Sequence, residues 1–344
     1  MAERRRALIV GPYKAHNFGD DLVGGILAKH LQQHGYDVSI PRLSEANSAW
    51  LGTAHAEGYD GLFESADLVV VGGGGIMSDT SGAKPGASHL QFVADAQQSG
   101  ALAGSTPVVV TSVGAGPWLR DRSRRLALGV SARADAVGVR DQESYDHLHG
   151  LGVPAEKIVL GADVALLTPE YLDFAPSRSG KLGLQFDVSA FEDVQGNPEL
   201  PEIVQTLGAY ARKRRKDVIL IRNGRARSEI APAAQGAELL SYTALEEFLP
   251  RLAGMRALFT SHLHLAITSY SQRIPTFSLY VREKTRRFYE QIGHPERALD
   301  LRVATVKDLK RFLAAAEKAR WTNADEVTLQ RLKGEAQTLV DLVN

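Results

Sequence analysis

An α/β protein of two doubly wound, Rossmann-like domains facing a cleft is the fold expected of this chain. Three observations point there. Short strands that are apolar along their whole length alternate with helical stretches, the signature of parallel sheets covered on both faces. The alternation breaks once, at Thr168–Ser177, and restarts at Lys181. Finally, 344 residues exceed one small core but suit two domains of roughly 150–180 residues.

Ala7–Gly11 reads as the first strand, and Leu22, Ile26, Leu27 and Leu31 then carry helical spacing from Asp20 to about His34. Strands follow at Asp37–Ile40, Leu68–Val71, Val108–Val113, Ala136–Val139 and Ile158–Leu160. Helices are expected at Ser88–Ser99, Arg120–Ala132 and Asp141–Leu151. The second half repeats the pattern, with strands near Lys181–Phe186, Val218–Ile221, Ala257–Thr260 and Thr276–Leu279. Its helices fall near Leu200–Arg214, Thr243–Leu252, His262–Ser271 and Glu283–Ile292. Two more helices, Val306–Ala319 and Ala324–Val343, close the chain. The expected domains are therefore 1–172 and 178–310, with helices in 311–344 packing back toward the first domain. Ligands belong at the carboxyl ends of the strands.

Composition narrows the function classes. Lys plus Arg equals Asp plus Glu, 40 of each, so no global field draws the chain to nucleic acid. The basic run Arg212–Lys216 lacks interleaved aromatics and reads as a solvated helix end. Without cysteine there are no disulfides, thiolate nucleophiles or cysteine zinc sites, and a cytoplasmic location fits. The apolar run after Arg4-Arg5-Arg6 ends at Gly11-Pro12, too short for a signal core of roughly 7–15 residues. No run of about 18 apolar residues suggests a membrane-spanning helix.

The richest segment for chemistry is Thr260-Ser261-His262-Leu263-His264-Leu265, a strand end followed by a helix start with two histidines. Helix starts offer unpaired N–H groups to an anion, and a histidine there can pass it a proton. A structural role in capping carbonyls is the competing reading. Metal binding is disfavoured because two residues apart on a helix do not face the same way. Arg140 ends a strand just before a helix start, where it suits a carboxylate or phosphate. An ion pair with Asp141 or Asp163 is its alternative.

Two glycine-rich loops follow strands. Gly72-Gly73-Gly74-Gly75-Ile76-Met77-Ser78-Asp79 fails both the dinucleotide fingerprint and the Walker A pattern, and so does Gly114-Ala115-Gly116-Pro117. They mark places where backbone comes close to a ligand or to another segment. The first loop, Pro12–Asp21, is rich in groups able to grip a hydroxyl, with Asp20 expected as the helix N-cap.

In order and spacing, several segments resemble the polysaccharide pyruvyltransferase family: Asn17-Phe18-Gly19-Asp20, the four glycines 72–75, Ser112–Pro117, Val139-Arg140-Asp141 with Ser144, Ala162-Asp163 and Ser261–His264. The resemblance implies a GT-B-like fold with an acceptor-side first domain and a donor-side second one. It also implies transfer of pyruvyl from phosphoenolpyruvate onto sugar hydroxyls as a cyclic ketal, with no cofactor beyond that donor substrate. Carried over, Arg140, His262, Leu263, His264 and Lys284 would bind the donor, with His264 as the acid. Asp20 would act on the acceptor, and Asn17, Gly74, Gly75 and Asp79 would line its side. Where the family most often has arginine this chain has His262, so one fixed charge becomes conditional unless Arg282 or Lys284 compensates. The implied partners are a small-molecule donor and a glycan acceptor, with peripheral contact to a lipid-linked glycan left open. Acceptor choice is expected in the loops Pro41–Glu64 and Asp79–Ala87. A GT-B-type glycosyltransferase using a nucleotide sugar, and a non-catalytic glycan- or anion-binding member, are the alternatives.

Overall fold

The computed structural model describes residues 4–79, 89–187, 196–224, 230 and 234–344. The chain divides into two compact units, 1–172 with 331–344, and 173–330. Most of the expected loop Asp79–Ala87, from residue 80 on, lies outside the described residues.

The first unit is built on six parallel strands: β1 (Arg5–Val10), β2 (Tyr36–Ser39), β3 (Leu68–Gly72), β4 (Val108–Val113), β5 (Ala136–Val139) and β6 (Ile158–Leu160). Their order is β2-β1-β3-β4-β5-β6. Val69, Val70 and Val71 are all fully buried, which is why this run carries no apolar–polar alternation. Helices α1 (Phe18–Gln33), α2 (Glu45–Leu51), α3 (Leu90–Ser99), α4 (Asp121–Arg133), α5 (Gln142–Leu151) and the short α6 (Thr168–Tyr171) connect and follow them. The stretch expected to be linker thus begins as a helical turn, with Pro169 in its first positions, where a missing N–H costs nothing.

The second unit repeats the design with β7 (Leu182–Leu184), β8 (Val218–Arg222), β9 (Glu238–Ser241), β10 (Ala257–Thr260), β11 (Thr276–Tyr280) and β12 (Ala298–Asp300). All neighbours are parallel, in the order β12-β11-β10-β7-β8-β9. Its helices are α7 (Leu200–Lys213), α8 (Leu245–Ala253), α9 (Leu263–Ser271), α10 (Glu283–Gln291) and α11 (Val306–Lys318), and α12 (Asn323–Val340) closes the chain.

The two tail helices do not share one destination. Val306, Leu309, Phe312, Leu313 and Ala316 of α11 belong to the core around Leu182, Phe259 and Leu279. That helix, read from sequence as part of a tail returning to the first domain, is an integral layer of the second unit. Only from Arg331 does α12 count with the first unit. There the Thr111 hydroxyl donates to the Leu339 carbonyl at 2.6 Å, and Lys333 pairs with Glu170 at 2.6 Å.

Strand order also locates the crevices. From β1 the chain moves to β2 on one side, then to β3 on the other. In the second sheet it runs β7-β8-β9, then returns to the opposite side of β7 as β10. At each reversal the connections leave in opposite directions and open a crevice beyond the carboxyl ends of the strands. Gly11–Asn17 and Gly72–Gly75 follow the strands of the first reversal, and Gln185–Asp187 and Ser261–His264 those of the second.

Candidate functional site

In the first unit, Asn17 rather than Asp20 caps α1. Its side chain accepts from the Gly19 N–H at 2.9 Å, and the Asp21 N–H reaches the Asn17 carbonyl at 3.0 Å. The expected cap, Asp20, lies in the first helical turn with a partly exposed carboxylate. A Cβ at Gly74 would stand 2.5 Å from its Oδ1, and Gly74 itself has φ +71°. The glycine is therefore required twice, by backbone conformation and by the Asp20 carboxylate against it. The Gly74 carbonyl accepts from the Gly114 N–H at 3.0 Å, joining the two glycine loops, while the Gly75 carbonyl accepts from Ser78 at 2.9 Å.

Asp79 has a different employment from the acceptor contact expected of it. Its fully buried carboxylate accepts from the Leu119 and Arg120 N–H groups at 3.0 and 2.9 Å and from the Ser123 hydroxyl at 2.6 Å. It holds the first turn of α4 from outside the helix, neutralising donors that have no intrahelical partner.

Arg140 is 4% exposed at the carboxyl end of β5. Its Nη1 donates to Asp163 at 2.7 Å, and its Nε lies 4.0 Å from Asp141. The ion pair that competes with the ligand-binding reading is thus present. A Cβ at Gly114 would come 3.0 Å from Nη2, so the guanidinium also forms the seat of that loop. Asp141 caps α5 through the Ser144 N–H at 2.8 Å, and the Ser144 hydroxyl accepts from the Ala115 N–H at 3.0 Å. Ser112, just before this loop, holds φ +55° with a buried hydroxyl that makes no hydrogen bond. Strain of this kind concentrates at functional loops.

In the second unit the segment after β10 is pinned by polar groups that no motif announces. The Gln185 side-chain oxygen accepts from the Thr260 hydroxyl at 2.7 Å, the Ser261 N–H at 2.9 Å and the Ser261 hydroxyl at 3.2 Å. The Ser261 hydroxyl also reaches the Asp187 carbonyl at 3.0 Å. His262 is the N-cap of α9, but its side chain caps nothing. Its Nδ1 accepts from the Asn223 amide at 3.1 Å, which places the ring proton on Nε2, 3.9 Å from the Asp187 carboxylate.

His264 is the second residue of α9, half-buried, between the buried Leu263 and Leu265. Lys284 is the second residue of α10, the helix that follows neighbouring strand β11. Both helices are entered through a basic N-cap, His262 or Arg282, whose side chain makes no capping bond. Two helix starts therefore leave the same edge of the sheet from adjacent strands, with a histidine and a lysine at equivalent positions. Their first N–H groups and the positive helix ends favour an anion. Among the described residues, no three His, Asp or Glu side chains are grouped to hold a metal ion.

Gln185, Asp187 and Asn223 were missed in the sequence. Each is a polar residue just past a strand end, a signal that becomes specific only once β10, β7 and β8 are known to be neighbours.

Two parallel-sheet units of this topology define a GT-B-like, two-domain Rossmann architecture. Similar solved structures have it throughout their length. The structure titled "S. aureus MnaA-UDP co-structure" is 13% identical, at TM-score 0.62 over 98% of this chain and 92% of that one. The UDP-GlcNAc 2-epimerase from Methanocaldococcus jannaschii is also 13% identical, with TM-score 0.61 over 98% and 99%. Anabaena HepE in complex with UDP and glucose gives 13% identity and TM-score 0.57 over 99% and 97%. No curated protein sequence matches. The family model for polysaccharide pyruvyl transferase matches residues 17–283, and the chain belongs to that family. The match opens on Asn17, spans Arg140 and both histidines, and stops one residue before Lys284.

Proposed function

We propose that this protein moves the pyruvyl unit of phosphoenolpyruvate onto two hydroxyls of a glycan or glycan precursor, closing a cyclic ketal and releasing phosphate. The observation that carries this reading is the pair of helix starts in the second unit, with His264 and Lys284 at matching positions behind basic N-caps. Phosphoenolpyruvate bears a carboxylate and a phosphate, so its holder needs several N–H donors and cations in one place. Family membership supports the same choice.

In this reading the helix starts and Lys284 hold the donor's anionic groups, with His262 supplying conditional charge. His264, as imidazolium, gives a proton to the methylene carbon, and C2 becomes cationic. One sugar hydroxyl attacks C2 and loses its proton; the second hydroxyl then replaces phosphate, which leaves with the electrons of the C–O bond. Donors already oriented toward the phosphate stabilise that departure. Asp20 is the group assigned to orient or deprotonate the acceptor. Arg140, held by Asp163, acts here by fixing the Gly114 loop.

Phosphate release from phosphoenolpyruvate with a panel of sugar acceptors tests the reading. His264→Ala is expected to lower kcat by about 10²–10⁴-fold while changing donor affinity far less. An unchanged rate sinks the assignment of His264. The second reading, a nucleotide-sugar glycosyltransferase, is favoured by neighbours crystallised with UDP, a likeness of fold alone. Consumption of a UDP-sugar without phosphoenolpyruvate would select it.

A further inference from the structure

A second concentration of polar groups lies in the first unit, at a position none of the family motifs covers. Arg42, three residues beyond Ser39 at the end of β2, holds φ +68°, an uncommon conformation for a side-chain-bearing residue. Its N–H donates to the Ala56 carbonyl at 2.7 Å, which fixes the turn. Its guanidinium lies 4.6 Å from the Phe92 ring centre and 5.4 Å from that of Tyr59, and those two rings are 4.5 Å apart. No carboxylate and no carbonyl accepts from this guanidinium among the described residues. Stacked on a ring pair, it keeps the donors in its own plane for something else.

Two further polar groups lie beside it. Tyr59 is 9% exposed, and its hydroxyl faces the Gly11 backbone N–H. Burial pushes that hydroxyl up to about 12, against the opposing influence of Arg42 and the Gly11 backbone N–H. His89 is the residue before α3, and its buried Nδ1 is without a partner. Burial first, then the charge of Arg42, lowers its affinity for a proton and keeps it neutral. A buried, unmatched His89 Nδ1 beside a guanidinium that no described carboxylate or carbonyl accepts from needs a reason.

Their placement supplies one. Arg42 follows β2, Tyr59 lies beside Gly11 at the end of β1, and His89 opens the helix that precedes β4. The group therefore lies beyond the carboxyl ends of neighbouring strands β2 and β1, beside the β1–β3 reversal where such sheets bind ligands. An in-plane guanidinium edge fits two oxygens of a carboxylate or phosphate, and the neutral His89 and Tyr59 groups fit hydroxyls.

We propose that Arg42, Tyr59 and His89 form a recognition site for a sugar-borne oxyanion, the uronate carboxylate or phosphate of an acidic acceptor. The site deepens the acceptor side of the proposed function and rests on it only for the word acceptor.

Calorimetric titration of the full-length protein, without phosphoenolpyruvate, tests the site directly. Glucuronate and glucose 1-phosphate distinguish the two oxyanion sources, with inorganic phosphate and glucose as controls. At least one acidic sugar is expected to saturate about tenfold tighter than either control. Arg42→Asn, chosen because asparagine tolerates positive φ, is expected to weaken that binding about tenfold or more. Should that variant fold poorly, Tyr59→Phe and His89→Gln decide, each expected to weaken binding roughly threefold at unchanged melting temperature. Equal binding of sugar acids and controls, or undiminished binding by the folded variants, overturns the proposal. Phosphate release plays no part in this readout, so failure of pyruvyl transfer and failure of this site are separate results.

Discussion

A neutral His262 has one acceptor atom, and Asn223 takes it. The ring's remaining N–H then faces Asp187 at 3.9 Å, so full charge on His262 would require the Asn223 amide to turn over. An arginine at this position has no such conflict and carries its charge at every pH. His262→Arg is therefore expected to tighten phosphoenolpyruvate binding several-fold. Calorimetry on the variant checks this, and unchanged affinity would remove His262 from the donor site. At this scale the sequence was half legible. Histidines beside a helix start stand out, because few other residues combine charge and proton transfer. Gln185 and Asn223 do not, since a lone amide after a strand looks the same whether it shapes a turn or orients a ring.

Helix starts in this protein are held in unequal ways, and the difference separates structural from functional ones. At α4 the buried Asp79 carboxylate accepts from two backbone N–H groups and the Ser123 hydroxyl. Asp79→Ala would strand those donors in a dry site and is expected to cost about 1–3 kcal/mol, with α4 the first helix to lose amide protection. A fall in phosphate release with unchanged melting temperature would instead restore Asp79 to the acceptor site. Most longer elements were legible from apolar runs, and the fully buried Val108–Val113 agrees end to end. The short elements α2, β9 and β12 were not. The edge strand β9 has two exposed residues of four, and β12 spans only three residues, none fully buried. Neither leaves a periodic signal.

Each of the two units has its own six-stranded parallel sheet and its own core. No helix among the described residues is long and apolar enough to cross a membrane. The cores are nevertheless assembled from unequal parts of the chain. Leu332, Ala336, Leu339, Val340 and Val343 are at most 1% exposed, and all lie in the segment that belongs to the first unit. At about 1.5–3 kcal/mol for each large apolar side chain buried, that segment rivals the whole net stability of a domain. Ending the chain at Gln330 is expected to abolish slow hydrogen exchange in β4 and β5 while β7, β10 and β11 stay protected. Uniform loss across both sheets, or none, would contradict that division. The amphipathic spacing of the last helix was visible beforehand; which core each tail helix joins was not, because an apolar stripe does not name its partner.

That division also orders events during synthesis. A ribosome releases the first unit's six strands early, but residues 331–344, which complete that unit, emerge only after the whole second unit. The second unit, complete by Gln330, can settle while the older segment still waits for its closing helix. The part of the chain translated first is thus the part that finishes last, and it is the part with most to gain from a chaperone while it waits.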